Sequence, residues 1–358
     1  MKQNILLITS EFPPLPGGIG NHAFFLAKYL QKNSFDVLVV SDFRDEKADA
    51  KFDEQQNFRI FRVKRNSFTQ INRIKNCFSL AKENEIIICS GKFSLWTGAF
   101  LKSFFKSKKI IAVLHGSELK AGNSVLQKLT KYSLSKFDKL IAVSNFTKNY
   151  ALQINPDLKI DVINNGIEIN PKIEKPEKPE QLNLVTVGNL TFRKGQQNMI
   201  KALPLLKETF PNIHYNSIGI PTEKEKFSKL AKSLNVLENV TFYGALSENE
   251  KNEILRKSTV FVMLSDIVKN DFEGFGIAIL EANVLGIPAI GSQNSGIADA
   301  IQDGYSGKLV NPHSPEEIKL ALEDIITNYE QYKLQAKEWS SQFDWSKVIQ
   351  KYIAVLES

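Results

Sequence analysis

The chain has 358 residues, of which 42% are hydrophobic and 24% are charged, and its net charge is +7. This length is sufficient for two domains with separate cores, and the composition is that of a globular protein rather than a disordered one. No apolar run approaches the roughly 18 residues that a membrane span needs, and the first residues turn polar too soon for a signal peptide, so we expect a cytoplasmic protein. Two cysteines, Cys77 and Cys89, lack metal-binding spacing and argue against a disulfide framework.

The first part of the chain alternates short apolar runs with longer helical patterns. The runs predict buried strands at residues 5–9, 37–40, 86–89, 110–114 and 140–143. Strands that alternate with helices in this way predict a parallel sheet covered by helices on both faces. We therefore expect an α/β domain over residues 1–168.

A proline- and glycine-rich turn follows the first strand and leads into a helical pattern over residues 22–30. It contains Gly17, Gly18 and Gly20, and glycines in such a turn let the backbone approach a ligand at the carboxyl end of a strand. Taken alone, a proline- and glycine-rich turn is more often an ordinary turn than a binding site. The glycine spacing is not that of a dinucleotide fingerprint, and no acidic residue is expected at the end of the second strand. A dehydrogenase is therefore disfavoured.

A histidine follows the predicted strand 110–114, in the sequence His115-Gly116-Ser117-Glu118. This position also lies at the carboxyl end of a strand, where open α/β sheets place ligands, although a lone histidine there is often structural. His115 is our choice among the four histidines of the chain. His22, just behind the glycine turn, is a weaker candidate.

Positive charge is concentrated in the first half of the chain. Residues 1–165 contain 25 Lys and Arg against 14 Asp and Glu, whereas residues 166–358 contain 21 against 25. Segments 97–109 and 125–140 combine apolar side chains with lysines, as amphipathic helices on an anionic membrane do. For either segment alone, a core-facing helix with a solvated lysine face is the favoured interpretation. Peripheral association with the inner face of the cell membrane is therefore a hypothesis.

Residues 169–181 contain three prolines among charges and predict a linker. The strand pattern then restarts at residues 184–187, 214–218, 240–243, 260–263 and 289–291. Helix starts are expected at Ser247, which has Glu250 three residues later in a capping box, and at Ser314. These features predict a second α/β domain over residues 182–342, and residues 343–358 form an amphipathic helical pattern.

A basic pair follows the first strand of this second domain. Arg193 and Lys194 lie in the segment from Gly188 to Gly195, directly before a helical pattern that starts at Gln196. An arginine and a lysine at this point can bind a diphosphate, the arginine in a bidentate manner and the lysine as a compact charge. The alternative is a solvated basic pair in a loop.

Two carboxylates flank a glycine-rich helix start in the segment 271–288. Glu273 precedes Gly274 and Gly276, the following residues favour a helix that contains Glu281, and Gly286 with Pro288 ends it. The N–H groups at the start of such a helix bind anions or hydroxyls. A carboxylate beside them is suited to hold sugar hydroxyls.

These motifs, in this order, resemble those of the retaining nucleotide-sugar glycosyltransferases of glycosyltransferase family 4, also called group 1. The resemblance extends from the glycine turn to the last helix. It implies the GT-B architecture, in which two Rossmann-like domains face each other across a cleft and the C-terminal helix crosses back to the first domain. It also implies that the N-terminal domain binds the acceptor and the C-terminal domain binds the donor.

The resemblance also implies roles for individual residues. Glu273 contacts the donor sugar, and His115 faces that sugar and assists catalysis. The remaining donor-binding positions are Gly17, Gly18, Arg193, Lys194, Gly274, Phe275, Gly276 and Glu281, the last on the ribose. Asn189 departs from the family pattern, which usually has arginine there, so Lys194 matches the family better than Arg193 does.

The function implied is the transfer of a hexose, with retention, from a UDP- or GDP-sugar to a hydroxyl of a glycan or lipid-linked acceptor. The expected setting is the biosynthesis of cell-surface polysaccharide, lipopolysaccharide or glycolipid. Because the sequence has no Asp-x-Asp pair and no His/Cys/Glu cluster, we expect no metal and no cofactor. The alternatives are a nucleotide-sugar epimerase of the same fold and a non-catalytic basic nucleotide-binding module. No nucleic-acid partner is expected.

Overall fold

A computed structural model describes residues 3–15, 17–120, 124–169, 181–269 and 271–358. The chain forms two compact units: the first comprises Met1–Gly166 together with Trp345–Ser358, and the second comprises Ile167–Asp344. Residues 170–180, most of the predicted linker, lie outside the described residues.

The first unit is built on a sheet of seven parallel strands within its described residues. The strands are β1 (Asn4–Thr9), β2 (Asp36–Asp42), β3 (Arg59–Val63), β4 (Ile86–Ser90), β5 (Lys109–Leu114), β6 (Lys139–Ala142) and β7 (Ile160–Val162). Their order in the sheet is β3-β2-β1-β4-β5-β6-β7. The order reverses between β1 and β4, and open α/β sheets bind ligands beyond the carboxyl ends of the strands at such a reversal.

Helices of the first unit connect these strands. They are α1 (Gly18–Lys32), α2 (Glu46–Asp53), α3 (Thr69–Ala81), α4 (Lys92–Phe104), α5 (Ser124–Leu134) and α6 (Asn145–Ile154), and the C-terminal helix of the chain, α13 (Trp345–Glu357), also belongs to this unit. Apolar side chains of β1, β2 and β4 are buried against α3 and α4, and those of β5 and β6 against α4, α5 and α6.

The C-terminal helix α13 packs on α1 through an aromatic cluster. Trp345 is fully buried and lies nearly parallel to the rings of Phe25 and Tyr29, each with its centroid 6.0 Å away. A Cβ atom on Gly166 would lie 2.7 Å from the Trp345 ring, so only glycine fits there. Because of these contacts, α13 belongs to the same compact unit as the N-terminal residues.

The second unit has a sheet of six parallel strands in its described part. The strands are β8 (Asn183–Val187), β9 (His214–Ile218), β10 (Val240–Gly244), β11 (Val260–Met263), β12 (Ala289–Ser292) and β13 (Gly307–Val310); the helices are α7 (Gln196–Thr209), α8 (Lys224–Ser233), α9 (Glu248–Arg256), α10 (Ile277–Val284), α11 (Pro315–Thr327) and α12 (Tyr329–Ser341). The strand order β10-β9-β8-β11-β12-β13 reverses between β8 and β11. Loops that follow these two strands therefore meet at the expected ligand position.

The predicted α/β fold with two parallel sheets is confirmed, and each of the ten predicted strands is present. The capping box at Ser247 is also confirmed, since its hydroxyl accepts from the Glu250 N–H at 3.4 Å and its own N–H donates to the Glu250 carboxylate at 2.9 Å. At the predicted start of α11, the Ser314 hydroxyl accepts from the Glu317 N–H at 3.2 Å. Three strands were not predicted: β3, β7 and β13.

One expectation about β2 was wrong, because an acidic residue does stand at its end. The strand extends to Asp42, whose carboxylate accepts from Arg73 Nε at 3.1 Å and from Arg73 Nη2. The two side chains are only 4% and 2% exposed. Asp42 is thus neutralised by an internal cation and is not presented to a ligand.

The lysine-rich segment 97–109 is not one continuous helix, as the amphipathic interpretation required. Helix α4 ends at Phe104, and Lys109 begins β5. Lys102 Nζ donates to the Asp138 carboxylate at 2.7 Å, Lys108 Nζ to the Asn84 carbonyl at 2.6 Å, and Lys109 Nζ to the Val355 carbonyl at 2.8 Å. These three lysines hold the unit together instead of extending one basic helix face.

Among the described residues, none of the helices combines the length and apolar character required to cross a membrane.

Candidate functional site

A tight basic turn follows β8 at the reversal point of the second sheet. Residues Phe192–Lys194 form a single 3-10 turn, and Gly195 adopts a left-handed conformation with φ +81° before α7 begins. A Cβ atom at Gly195 would lie 1.7 Å from the Leu264 carbonyl oxygen. Only glycine allows this approach, and it fixes Arg193 and Lys194 beside the loop that follows β11.

Both cations of this turn contact a single carboxylate oxygen. Lys194 Nζ lies 2.9 Å from Glu273 Oε2, and Arg193 Nη1 donates to the same oxygen. Arg193 Nε also lies 3.5 Å from the Asp271 carboxylate. The predicted residues Arg193, Lys194 and Glu273, which are about 80 positions apart in the chain, therefore form one charge cluster.

In this cluster the Glu273 carboxylate stays ionised even at pH values far below neutral. Its side chain is only 13% exposed. Burial acts to raise the pKa of Glu273, but the positive charges of Lys194 and Arg193 outweigh it and hold the pKa at about 2. At physiological pH the cluster contains a fixed acceptor between two donors.

The backbone after Glu273 is held by a close contact with the turn after β12. The Gly296 N–H donates to the Glu273 carbonyl at 3.0 Å, and a Cβ atom at Gly296 would lie 2.1 Å from the Gly274 carbonyl oxygen. Gly276 has φ +84° and directly precedes α10. The side chain of Phe275 is buried, with its ring centroid 6.0 Å from that of Phe343. If Phe275 contacts the donor substrate, as the sequence predicts, it would therefore do so through its backbone.

Glu281 lies on α10, as the sequence predicted, and its side chain is 40% exposed. It faces Lys251 of α9, with Nζ 3.5 Å from its carboxylate. Burial alone would lower the pKa of Lys251, but Glu281 and Glu248 raise it above its ordinary value. Glu281 belongs to a second ion pair, separate from the cluster around Glu273.

Sequence analysis missed two acidic residues in the segment between β11 and α10. One is Asp271, beside Arg193. The other is Asp266, which accepts from Gln197 and Asn198 at 2.9 Å each and lies 2.9 Å from His313 Nε2. Asp266 follows the carboxyl end of β11, so the criterion that selected His115 would have found it.

In the first unit, the glycine turn leads directly into α1. Gly18 is its first residue, Gly17 has an extended backbone, and a Cβ atom on Gly17 would lie 3.1 Å from the Glu11 carboxylate. Arg62, which the sequence did not single out, fixes the preceding segment: its buried guanidinium donates to the Pro13 carbonyl at 2.6 Å. The turn is thereby tied to β3.

His115 lies beyond β5, next to the end of β4. Its Nε2 is 3.0 Å from the Ser90 hydroxyl, and its backbone N–H donates to the buried carboxylate of Glu118, which also accepts from the Gly116 N–H at 3.1 Å. Burial lowers the pKa of His115 to about 3, so the imidazole is neutral at physiological pH.

The side chain of His22 is inside the first unit and cannot contact an acceptor. It is 1% exposed, its Nε2 lies 2.9 Å from the Tyr352 hydroxyl, and its ring packs edge-on against His115 at 4.9 Å. His22 therefore supports His115 and α13 from within the core.

No group of three or more His, Cys, Asp or Glu side chains within the described ranges is arranged to hold a metal ion.

Two family models match consecutive parts of the chain. Residues 16–170 match Glycosyltransferase Family 4, and residues 168–339 match Glycosyl transferases group 1. An uncharacterized glycosyltransferase of Methanocaldococcus jannaschii is 26% identical, with 99% of this chain and 98% of the relative covered. The GDP-mannose-dependent alpha-(1-6)-phosphatidylinositol monomannoside mannosyltransferase of Mycolicibacterium smegmatis is 24% identical, with 90% of this chain and 89% of the relative covered.

The solved structure of Anabaena HepE in complex with UDP and glucose has a TM-score of 0.81 to this chain, at 18% identity and 99% coverage of both chains. This similarity confirms the GT-B fold. The two family matches, which together extend from residue 16 to residue 339, identify the chain as a member of the family 4, group 1 glycosyltransferases, which transfer a sugar from a nucleotide sugar.

Proposed function

We propose that this glycosyltransferase moves a hexose, with retention of configuration, from a UDP- or GDP-hexose to a hydroxyl of a glycan or lipid-linked acceptor. The observation that carries the proposal is the convergence of Arg193 and Lys194 on the Glu273 carboxylate. Two cations suit a diphosphate, and a fixed carboxylate beside them suits sugar hydroxyls. The setting we propose is the biosynthesis of cell-surface polysaccharide, such as lipopolysaccharide, or glycolipid.

We propose that the leaving diphosphate is stabilised without a metal ion. Arg193 and Lys194 carry fixed positive charge at the reversal point of the second sheet, where such donors stabilise developing negative charge. Backbone N–H groups of Gly274, Phe275 and Gly276 are further candidate donors. Glu281 is our proposed ribose contact. For the first unit, we propose that Gly17 and Gly18 bind the donor and that His115 faces the donor sugar and assists catalysis.

Where no covalent intermediate forms, retention requires that the acceptor hydroxyl attack the anomeric carbon from the face that the diphosphate leaves. In the proposed step the acceptor oxygen bonds to this carbon, the bond from the carbon to the phosphate oxygen breaks, and a phosphate oxygen takes the hydroxyl proton. The transition state resembles an oxocarbenium ion. Glu273 then serves to hold the sugar and forms no covalent intermediate.

The names of the relatives support hexose donors with either base. One relative is GDP-mannose-dependent, and the HepE structure contains UDP and glucose. The test is to incubate the chain with UDP- and GDP-hexoses, with and without candidate acceptors and with and without EDTA, and to measure release of the nucleoside diphosphate. Release that requires an acceptor, survives EDTA and yields a product of retained configuration by NMR supports the proposal.

The same assay distinguishes the alternatives. An epimerase would convert the nucleotide sugar without an acceptor and without releasing the diphosphate. In the Glu273→Gln variant we expect turnover to fall by at least about 100-fold, the range found when one transition-state contact is removed. Unchanged turnover in Glu273→Gln would refute the role of this carboxylate.

We also propose that the first unit contacts an anionic membrane through α5. This helix exposes Val125, Leu129 and Tyr132, which are 71%, 40% and 52% exposed, and it carries Lys128 and Lys131. Exposed apolar side chains interleaved with lysines are typical of helices that lie in a membrane interface. Each lysine near an anionic surface contributes about 1 kcal/mol.

Vesicle sedimentation tests this contact. The chain should sediment with phosphatidylglycerol vesicles at low salt and not with phosphatidylcholine vesicles. The Lys128→Glu/Lys131→Glu variant should remain in solution, whereas Lys229→Glu/Lys232→Glu, an equal charge change on α8 of the second unit, should sediment like the parent. Failure of the parent chain to sediment would exclude the membrane contact.

A further inference from the structure

Glu273 and a donor diphosphate need the same two cations. The Glu273 carboxylate accepts from both Arg193 and Lys194 through one oxygen, Oε2. The side chains of Lys194 and Glu273 are 15% and 13% exposed, so little water is left to replace a lost partner. A phosphate oxygen that approaches the same N–H groups competes with the carboxylate for them.

The consequence of displacement depends on whether the ligand carries a sugar. A nearly buried carboxylate that loses its cations without replacement is strongly unfavourable. The hydroxyls of a bound nucleotide sugar can donate to the displaced carboxylate and compensate it. A nucleoside diphosphate lacks the hexose hydroxyls, and its ribose is assigned to Glu281, so it leaves Glu273 uncompensated.

We propose that Glu273 is an internal competitor of the diphosphate, one that yields to the nucleotide sugar and returns to Arg193 and Lys194 after transfer, so that the nucleoside diphosphate product is released. This inference rests on the proposed function and goes beyond it, since it gives the sugar-holding carboxylate a second role in product release. It also predicts that the chain discriminates between donor and product at the same phosphate site.

The test is to measure the binding of inorganic pyrophosphate by titration calorimetry, which does not require knowledge of the base. Glu273→Gln keeps the size of the side chain and removes the competing charge. We expect it to bind pyrophosphate at least about tenfold more tightly than the parent, which corresponds to about 1.4 kcal/mol. Unchanged or weaker binding, or no pyrophosphate binding by either protein, would overturn the inference.

Glu330→Gln is the matched control, because it removes an equal charge from the same unit but contacts Lys333 instead of the cation pair. It should bind pyrophosphate like the parent; an equal tightening in this control would show a general charge effect and overturn the inference. In a Lys194→Gln background, Glu273→Gln should tighten binding much less. Should Glu273→Gln fail to fold, Glu273→Asp is a second variant, which retains the charge but has a shorter reach. It should bind pyrophosphate with an affinity between those of the parent and Glu273→Gln. An affinity equal to that of the parent would count against the competition.

The outcomes separate this inference from the proposed function. Transferase turnover with equal pyrophosphate affinity in the parent and Glu273→Gln would refute the competition alone. The expected difference in pyrophosphate affinity, without consumption of any nucleotide sugar, would refute the proposed function while retaining the competition at the cation pair. UDP and GDP can be titrated in the same way. Whichever of the two nucleotides the chain binds should also bind more tightly to Glu273→Gln than to the parent.

Discussion

Replacing Asp42 by leucine should destabilise the first unit severely, because it leaves the Arg73 guanidinium buried without a counter-ion. The two side chains are 4% and 2% exposed, and Arg73 contacts both carboxylate oxygens. Removing one partner of such a buried pair costs about 3–5 kcal/mol, a large part of the stability of an ordinary domain. The Arg73 guanidinium also lies 4.5 Å from the centre of the Phe93 ring, and that contact remains in Asp42→Leu and does not offset the loss.

A double-mutant cycle measures the effect. Urea unfolding is measured for the parent, Asp42→Leu, Arg73→Met and the double variant, each with Trp339 of the second unit replaced by phenylalanine. The fluorescence of Trp96 and Trp345 in the first unit then gives the four free energies. Since two apolar side chains leave no stranded charge, the double variant should be more stable than Asp42→Leu alone. If Asp42→Leu costs less than about 1 kcal/mol, or if the two single effects simply add, the buried-pair argument is wrong.

Three further predictions concern the turns, one helix start and the pH response. Gly195→Ala should lower the free energy of unfolding by well over about 3 kcal/mol or prevent folding, since its Cβ would meet the Leu264 carbonyl at 1.7 Å. The control Gly244→Ala, with φ +78° and nothing within 4 Å of the added Cβ, should lower it by only about 1–2 kcal/mol. Equal melting temperatures of the two variants would refute the clash. Ser314→Ala should cost about 1 kcal/mol in urea unfolding, because α11 loses its N-cap acceptor, and Ser314→Asp should restore it. Because burial lowers the pKa of His115 to about 3, the unfolded chain takes up a proton first as the pH falls below about 6.5, and stability falls by roughly 1.4 kcal/mol per pH unit below that value. His115→Gln should flatten this decline, and an unchanged slope would show that His115 does not titrate on unfolding.

The strands that the sequence did not predict share one position in the fold. β3, β7 and β13 each lie at an edge of their sheet. An edge strand has one neighbour and more contact with solvent, so it need not be a continuous apolar run. Residues Arg59–Val63 illustrate this, because exposed and buried side chains are mixed within five positions. Apolar runs therefore predicted the interiors of both sheets and, of the four edge strands, only β10.

For the site, sequence patterns predicted the neighbourhoods but not the contacts. Residues that follow the carboxyl ends of parallel strands could be expected near the ligand, and Arg193 and His115 were found in this way. Glu273 was found from the glycine-rich helix start that it precedes. That Arg193 and Glu273 share an ion pair depends on β8 and β11 being adjacent, which no local pattern shows. The pairing of Asp42 with Arg73 was missed for the same reason, since it joins the end of β2 to α3 across 31 positions.

The route of the chain through the first unit has a consequence for biosynthesis. His22 and Tyr352, joined by a hydrogen bond, are 330 positions apart, and all of the second unit lies between them in the sequence. At roughly 5–20 residues per second on the ribosome, residues 167–344 alone take about 10–35 s to be made. During this interval the face of α1 that later covers Trp345 is open to solvent, while the second unit, which is continuous in sequence, can fold on its own as it emerges. The first unit is thus begun first and completed last, and its unfinished apolar face is the part of the nascent protein that most needs protection by a chaperone.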